Sequence, residues 1–575
     1  MSPKRKLAVV GTAIAALLGT AGLNDTAFPC GGLFCRQVPI DQAGEQIIFR
    51  QDGDVVTAII LIQYVGDAED FSWVVPVPGI PELSTGSDLV FGPLESATRP
   101  QFNLITTGDA CPIEVDLDFA LNNDSVGPTA GEADVADDGG VVILERLAVG
   151  PFDVEIVSSD DAEALVIWLD ENGYDLTDRG GDLIAPYVAE GKNFVALKLR
   201  QDQGVGDIEP LIMKYQAPEP CIPIRLTAVA AQQDMGVIVW LLGESRAVPL
   251  NYLHVVPNYT RLNWYSGTGS AYASYQGLIT AAMDEATVGM GNAGGQGFAT
   301  DYAGRDIDVL SQLPTAEAFG DELARLAGVD DDAEFIRQLV GGFVFAQDKV
   351  LEVLRRELPL PEGDDEFVYQ VPELLVDTFS AELLAAARSA IVVELNSAVI
   401  DPLNETRAVF AGDLYLTRFF TTLSPEEMTV DPTFSFNPDL PDQPLVREAT
   451  MDVRCTTSGT RWSLTLGPGT DRDGELVIEG KGRPPGFFGA PPTIDQGAFS
   501  RSETMTTSGA PTLVTQKTFA VADVISTEPD GTADATSGST IGGILCGAGT
   551  GECGAGTAAI LLWTMVGFHL IRRRR

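Results

Sequence analysis

Apolar positions alternate in short runs through the first half of the chain and fall at mixed three- and four-residue spacing through much of the second, which predicts strands first and helices later. Residues 46–50, 55–64 and 71–77 are rich in Ile and Val and are bounded by Asp-Gly and Gly-Asp turn signals, so hairpins are expected there. Residues 154–157 read as a short strand. Asp160 and Asp161 then cap a helix carrying Leu165, Ile167, Trp168 and Leu169, and Asn172-Gly173 stops it. A second short helix at 183–189 leads through Gly191 into a strand at 194–199, and further strands are expected at 211–215, 224–230, 237–242 and 252–256.

After Tyr265 the texture turns helical, with helices expected at 271–286, 306–326, 333–358 and 373–399. Ile336, Leu339, Val340, Phe343 and Val344 mark one such apolar face, and an acidic, Pro-bearing break at 358–366 separates two helices. Pro and Asp punctuate 429–443. Beyond them 452–455, 462–466, 475–479 and 512–521 read as short strands, and the Asp-, Thr-, Gly- and Ser-rich 526–539 as a flexible stalk. The pattern predicts an α+β protein: a β-rich N-terminal unit with short helices, a central helical layer, a smaller C-terminal β unit and a C-terminal hydrophobic helix. The expected division is 1–27 signal peptide, 28–265 α+β domain, 266–428 mainly helical region, 429–525 β-rich region, 526–553 stalk and 554–575 hydrophobic anchor or sorting helix.

Both extremities predict handling at a membrane. Lys4, Arg5 and Lys6 precede an apolar stretch at 7–18 and then the small residues Gly19 and Ala21, the order of a secretory signal peptide, with the mature chain expected to start between Gly22 and Phe28. The apolar run at 558–571 is closed by Arg572 to Arg575, which sets a cytoplasmic orientation for that end. About 14 residues span about 21 Å of a roughly 30 Å hydrocarbon core, so Gly554 to Thr557 are needed for a full crossing.

Composition changes the picture in two ways. With 45% hydrophobic and 8% aromatic residues the chain can fill cores, unlike a disordered polymer. Its 82 acidic and 36 basic residues give a net charge of -46, which excludes the basic face a nucleic-acid binder uses and disfavours adhesion of the body to anionic lipid. Cationic partners and simple solubility both suit this charge.

The seven cysteines divide into five in the body, Cys30, Cys35, Cys111, Cys221 and Cys455, and two near the end, Cys546 and Cys553. An oxidising compartment favours disulfides, with Cys30 and Cys35 closing a small loop through two glycines and Cys111 with Cys221 as a second pair. One body cysteine is then left over. A zinc site is the alternative, weakly supported because no histidine stands near the close pair.

Two resemblances add to this reading. Cys30-Gly-Gly-Leu-Phe-Cys35, the 38–49 segment Val-Pro-Ile-Asp-Gln-Ala-Gly-Glu-Gln-Ile-Ile-Phe, Ala-Glu-Asp-Phe-Ser-Trp-Val-Val-Pro-Val-Pro at 68–78, Phe-Val-Ala-Leu-Lys-Leu at 194–199 and Ile-Pro-Ile-Arg-Leu-Thr-Ala-Val at 222–229 together resemble the bacterial family called domain of unknown function 2330, over about residues 28 to 310. That resemblance implies an exported bacterial protein and supplies no catalytic or binding residue. Cys546 and Cys553 amid Gly and Thr, the short apolar helix and the Arg cluster resemble a MYXO-CTERM sorting tail, which implies processing near a cysteine, a sorting protease as partner and display at the cell surface. Two candidate cysteines and His569 inside the helix depart from that pattern, and a plain C-terminal anchor is the alternative.

Few chemistries remain. His254 is the one histidine of the body, so any triad or His-rich metal site must use it, and its apolar neighbours predict a structural strand histidine. Gly289-Met-Gly-Asn-Ala-Gly294 carries the letters of a dinucleotide fingerprint, but the expected order, helix before and strand after, is the reverse of what phosphate binding needs. Paired carboxylates are the remaining catalytic option, with Asp41, Glu45, Glu69 and Asp70 as candidates and Trp73 as a sugar platform. Asp471-Arg-Asp-Gly-Glu475 is a turn with the oxygen ligands calcium prefers, although the helix-flanked loop is missing. No other cofactor is expected. The reading that follows is an exported, surface-tethered envelope component that binds or supports rather than catalyses, with an extracellular carboxylate-dependent glycan hydrolase as its rival. Its protein or glycan partner is not specified by the sequence.

Overall fold

The computed structural model describes residues 42–61, 71–109, 141–174, 180–200, 208–229, 231–264, 268–290, 296–342, 346–360, 366–482, 499–516 and 525–526. All lie in one compact unit, Met1–Ser526; the second unit, Thr527–Arg575, contains none of them. The expected leader, the expected stalk beyond Ser526, the cysteines of the tail and the terminal apolar run are therefore outside the described residues, and the boundaries expected near 265 and 428 both fall inside the first unit.

The fold is α+β, as the pattern predicts. Among the described residues the largest sheet has ten strands, and at its centre Gly297–Gly304, Tyr415–Leu423, Ala231–Gly243, Gln42–Asp52 and Val55–Leu61 lie side by side. Gln42–Asp52 runs parallel to Ala231–Gly243 and antiparallel to Val55–Leu61. Both faces of this centre are buried: Ile47, Phe49, Val239 and Leu241 enter one core, Ile48, Trp240 and Leu242 another. Near-continuous apolar runs, rather than clean alternation, are the expected signature of such strands.

The first core is closed by a four-stranded sheet containing Ser72–Val77, Asn193–Leu199, Phe152–Ser158 and Val142–Val149, whose far face is covered by helices Ala162–Glu171 and Gly180–Ala189. Asp161 caps the first of these helices, its carboxylate accepting from the N–H groups of Glu163 and Ala164, as the local sequence predicts. On the other flank the long helix Thr268–Met290 lies between the large sheet and a five-stranded sheet that contains Val446–Thr456 and Gly459–Leu466. Asp301, Arg418 and Arg447 are fully buried there. Tyr275 Oη donates to Asp301 at 2.5 Å, Arg418 donates to its other carboxylate oxygen, and Arg447 donates to the Asp301 carbonyl at 2.6 Å. The seam thus carries one ion pair, Arg418 with Asp301, and a second guanidinium, Arg447, whose terminal nitrogens donate to backbone carbonyls, so each buried charge has hydrogen-bond partners.

A helical core of its own gathers Phe319, Leu323, Phe335, Ile336, Leu339 and Leu354 with side chains of the helix Ala381–Leu395. Among the described residues one helix, continuous from Ala381 to Val409, is long and apolar enough to cross a membrane. Here Leu384, Ala387, Ile391, Leu395 and Val399 pack into that core, while Arg388 pairs with Asp332 and Glu394 with Arg356. A π-helical turn, Asn396–Ile400, precedes Pro402, which has no N–H to give the preceding turn.

Several expectations need correction. The strand expected at 224–230 is instead a helical turn, Ile224–Thr227, followed by Ala228 and Val229. The spacing of Ile222, Ile224 and Leu226 reflects two cores, since the first two side chains enter one and Leu226 the other. The helices expected at 306–326, 333–358 and 373–399 are each interrupted, the first at Pro314, the second at the non-helical Ala346 and the third at the extended Phe379 and Ser380. Strand Tyr415–Leu423, buried at all nine positions, lies in the stretch read as helical.

Candidate functional site

The cavity that draws together the most chemistry opens where strand Ser72–Val77 ends. That strand is at the edge of its sheet, which is where Pro76 is tolerated, and Pro78 follows it. Helix Gly180–Ala189 brings Tyr187 to the cavity. Its C-terminus closes with Gly191 at φ +70°, Gly191 N–H donating to the Val188 carbonyl and Lys192 N–H to the Tyr187 carbonyl. This paired cap needs a residue without Cβ and fixes where Lys192 leaves the helix. Strand Leu211–Gln216 contributes Tyr215, and the Pro-rich stretch after it contributes Ala217, Pro218, Glu219, Cys221 and Pro223. The enclosed volume is about 400 Å³.

Asp431 organises the site. Its carboxylate accepts from Tyr187 Oη at 2.9 Å, from the Arg225 N–H at 3.0 Å and from Arg225 Nε and Nη2 at 3.1 and 2.8 Å. The Arg225 guanidinium also reaches Glu190 at 2.8 Å and stacks over the Tyr187 ring at 4.3 Å. Asn251 and Tyr252 hold the backbone around Asp431, donating to the carbonyls of Asp431 and Val430, both at 2.7 Å. Burial, with Asp431 nearby, pushes the Cys221 thiol up to about 12. The thiol is accordingly protonated, a poor nucleophile and a good wall.

Two residues of the expected acidic site are described. Glu45 and Trp73 do come together, around a void of about 10 Å³ that shares Pro76 and Pro223 with the larger cavity. Glu45 is 8% exposed, its Oε2 has no hydrogen-bond partner, and burial raises its pKa to about 7. Such a void has room for about one water and none for a sugar ring. Asp41, Glu69 and Asp70 lie outside the described residues, and Glu45 is the one described carboxylate lining the void.

Cysteines require a correction. Cys221 carries a free thiol, so the expected Cys111 to Cys221 pair is not made. Cys455 is disulfide-bonded. Cys30, Cys35, Cys111, Cys546 and Cys553 lie outside the described residues, and so does the partner of Cys455. His254 is buried on strand Leu253–Pro257, its Nε2 3.0 Å from Thr300 Oγ1 and its Nδ1 3.2 Å from Glu503, while burial lowers its pKa. Two of the three acids of the candidate calcium turn face guanidinium groups: Asp471 accepts from Arg501 at 2.9 Å and Glu475 pairs with Arg472. Among the described residues no group of three or more His, Cys, Asp or Glu side chains is placed to hold a metal.

The family described as "Uncharacterized protein conserved in bacteria (DUF2330)" matches residues 26–319. The chain belongs to this family. No curated protein and no solved structure matches it. In this DUF2330 protein the matched residues supply Pro76, Tyr187, Lys192, Cys221 and Arg225, whereas Asp431 comes from beyond them. Sequence reasoning missed Tyr187, Lys192, Glu219, Arg225 and Asp431. The local signal present was the density of Pro around Cys221 and the Pro- and Asp-punctuated stretch containing Asp431.

Proposed function

We propose that this DUF2330 protein is an exported, surface-tethered component of the bacterial envelope that binds a ligand rather than transforming one, with the cavity around Asp431 as its binding site. The observation that carries this reading is the cavity's state of readiness. It has mostly apolar walls, a volume in the small-molecule range of about 300–1,000 Å³, and an Asp431–Arg225–Tyr187 cluster held in place by its own hydrogen bonds. Its thiol is protonated and a poor nucleophile, and its Asp431 carboxylate is paired with Arg225. Export and tethering rest on the charged and apolar segments at the two extremities. The rival hydrolase has one described carboxylate, Glu45, beside a void too small for its substrate.

The test is capture of bound molecules from intact cells by the wild-type chain and by Val430→Trp, combined with mass spectrometry of the mature C-terminus. Val430 lines the cavity and is 43% exposed, so tryptophan fills the opening without entering a core. Ligand retained by wild type and lost by the variant, on a chain recovered from the envelope, is expected. Equal capture by both chains, or recovery of the uncut protein from cytosol, sinks the reading.

A further inference from the structure

We propose that the cavity around Asp431 takes a zwitterion with an apolar body, namely a short peptide with both ends free. This rests on the binding reading above and names its ligand class. Five charged side chains line the cavity: Glu190, Lys192, Glu219, Arg225 and Asp431. Three of them satisfy one another, because Arg225 bridges Asp431 and Glu190.

Lys192 and Glu219 remain. Neither side chain makes a hydrogen bond or ion pair among the described residues, and both are half-buried. The other described lysines all have partners: Lys198 donates to the Asn172 carbonyl, Lys214 pairs with Glu82, Lys349 pairs with Glu352, and Lys481 is also engaged. In a chain with 82 acids against 36 bases, an ammonium group without a carboxylate is out of keeping with its surroundings. Glu219 lines the same cavity, yet the two charged groups stand more than 4.0 Å apart and do not pair.

Two unpaired charges of opposite sign on one cavity lining complement a molecule that carries both a carboxylate and an ammonium. The five charges sum to -1, and both an ammonium-binding and a carboxylate-binding group are left over: Glu219 suits a cationic end and Lys192 an anionic one. The same lining includes Pro76, Pro78, Pro218, Pro223, Tyr215 and Val430, mostly rigid surfaces that lose little conformational freedom when an apolar side chain covers them.

Calorimetric titration of the full chain with the dipeptide Leu-Pro tests this, using the free, N-acetylated, C-amidated and doubly blocked forms. The free dipeptide is expected to bind, and each single block to weaken it by about tenfold or more, the scale of one lost charge-assisted contact. Lys192→Met should erase the discrimination against the amide, and Glu219→Gln the discrimination against the acetylated form, both with unchanged melting temperature. If the doubly blocked dipeptide binds as well as the free one and Val430→Trp abolishes both, the zwitterion is overturned while the apolar cavity stands. If no form binds, the ligand class is overturned, and the capture experiment decides the broader reading separately.

Discussion

Glu45 shows how one side chain turns placement into a solution property. Its carboxyl lies on a central strand, 8% exposed and with one oxygen unpaired, and burial raises its pKa from 4.5 to about 7. Native Glu45 therefore keeps a proton that the unfolded chain, with a carboxylate pKa of about 4.3, has released. Stability attributable to this group is full below about pH 4, falls as pH rises to about 7 and is level above that, a total of about 3 kcal/mol. Glu45→Gln keeps the shape without the charge. It should match wild type near pH 4 and exceed it by up to that amount at pH 8 in urea denaturation; parallel profiles for the two proteins would show that Glu45 does not titrate in this way. The same environment explains why Glu45 was legible as a candidate and misread in kind: Glu45 and Trp73 meet, but around a water-sized space.

Elements in this protein are joined across long sequence separations. Strand Gln101–Gly108 runs parallel to Val446–Thr456, and Asp109 extends the pair by accepting from the Cys455 N–H at 2.9 Å. Cys455 is disulfide-bonded while Cys221 is free. Cys111 follows Asp109 by two residues in the sequence, which makes it the cysteine next in the chain to the strand beside Cys455. Peptide mapping without reductant is expected to join Cys455 to Cys111 and to find Cys221 alkylated only after unfolding. Alkylation of Cys455 in the unreduced native protein would refute the link. Other elements were legible because their signals are local: the Asp161 cap and the Asn172-Gly173 stop bracket the helix Ala162–Glu171. The turn Ile224–Thr227 was not, because its apolar spacing is set by two cores that the sequence does not display.

At the scale of the molecule, the family region and the folding unit do not coincide. Residues 26–319 match the family, yet the strand between Gly297–Gly304 and Ala231–Gly243 is Tyr415–Leu423, from outside that region. Without it, two buried strand edges and the apolar faces around Phe419 and Phe420 would be left open, and such edges promote association between chains. A 26–319 fragment produced alone should lack a cooperative thermal transition and aggregate, and adding residues to 526 should restore both folding and the Asp431 cavity. A monomeric fragment with a sharp transition would show that the central strand is dispensable.

The sequence by itself determined what depends on neighbours along the chain: strand and helix texture, caps and stops, the α+β class and the family motifs. It also limited the chemistry, since a body with one histidine and a large excess of acids leaves few catalytic constellations. Only the tertiary structure decided which residues meet. Tyr187 and Asp431 are 244 positions apart yet bonded, Glu45 is sealed beside Trp73, and Tyr415–Leu423 is a central strand because both of its faces find cores. The physical reason is that periodicity reports one buried face of one element, whereas a cavity, a displaced pKa or a strand buried on both sides is made by the surfaces that close over it.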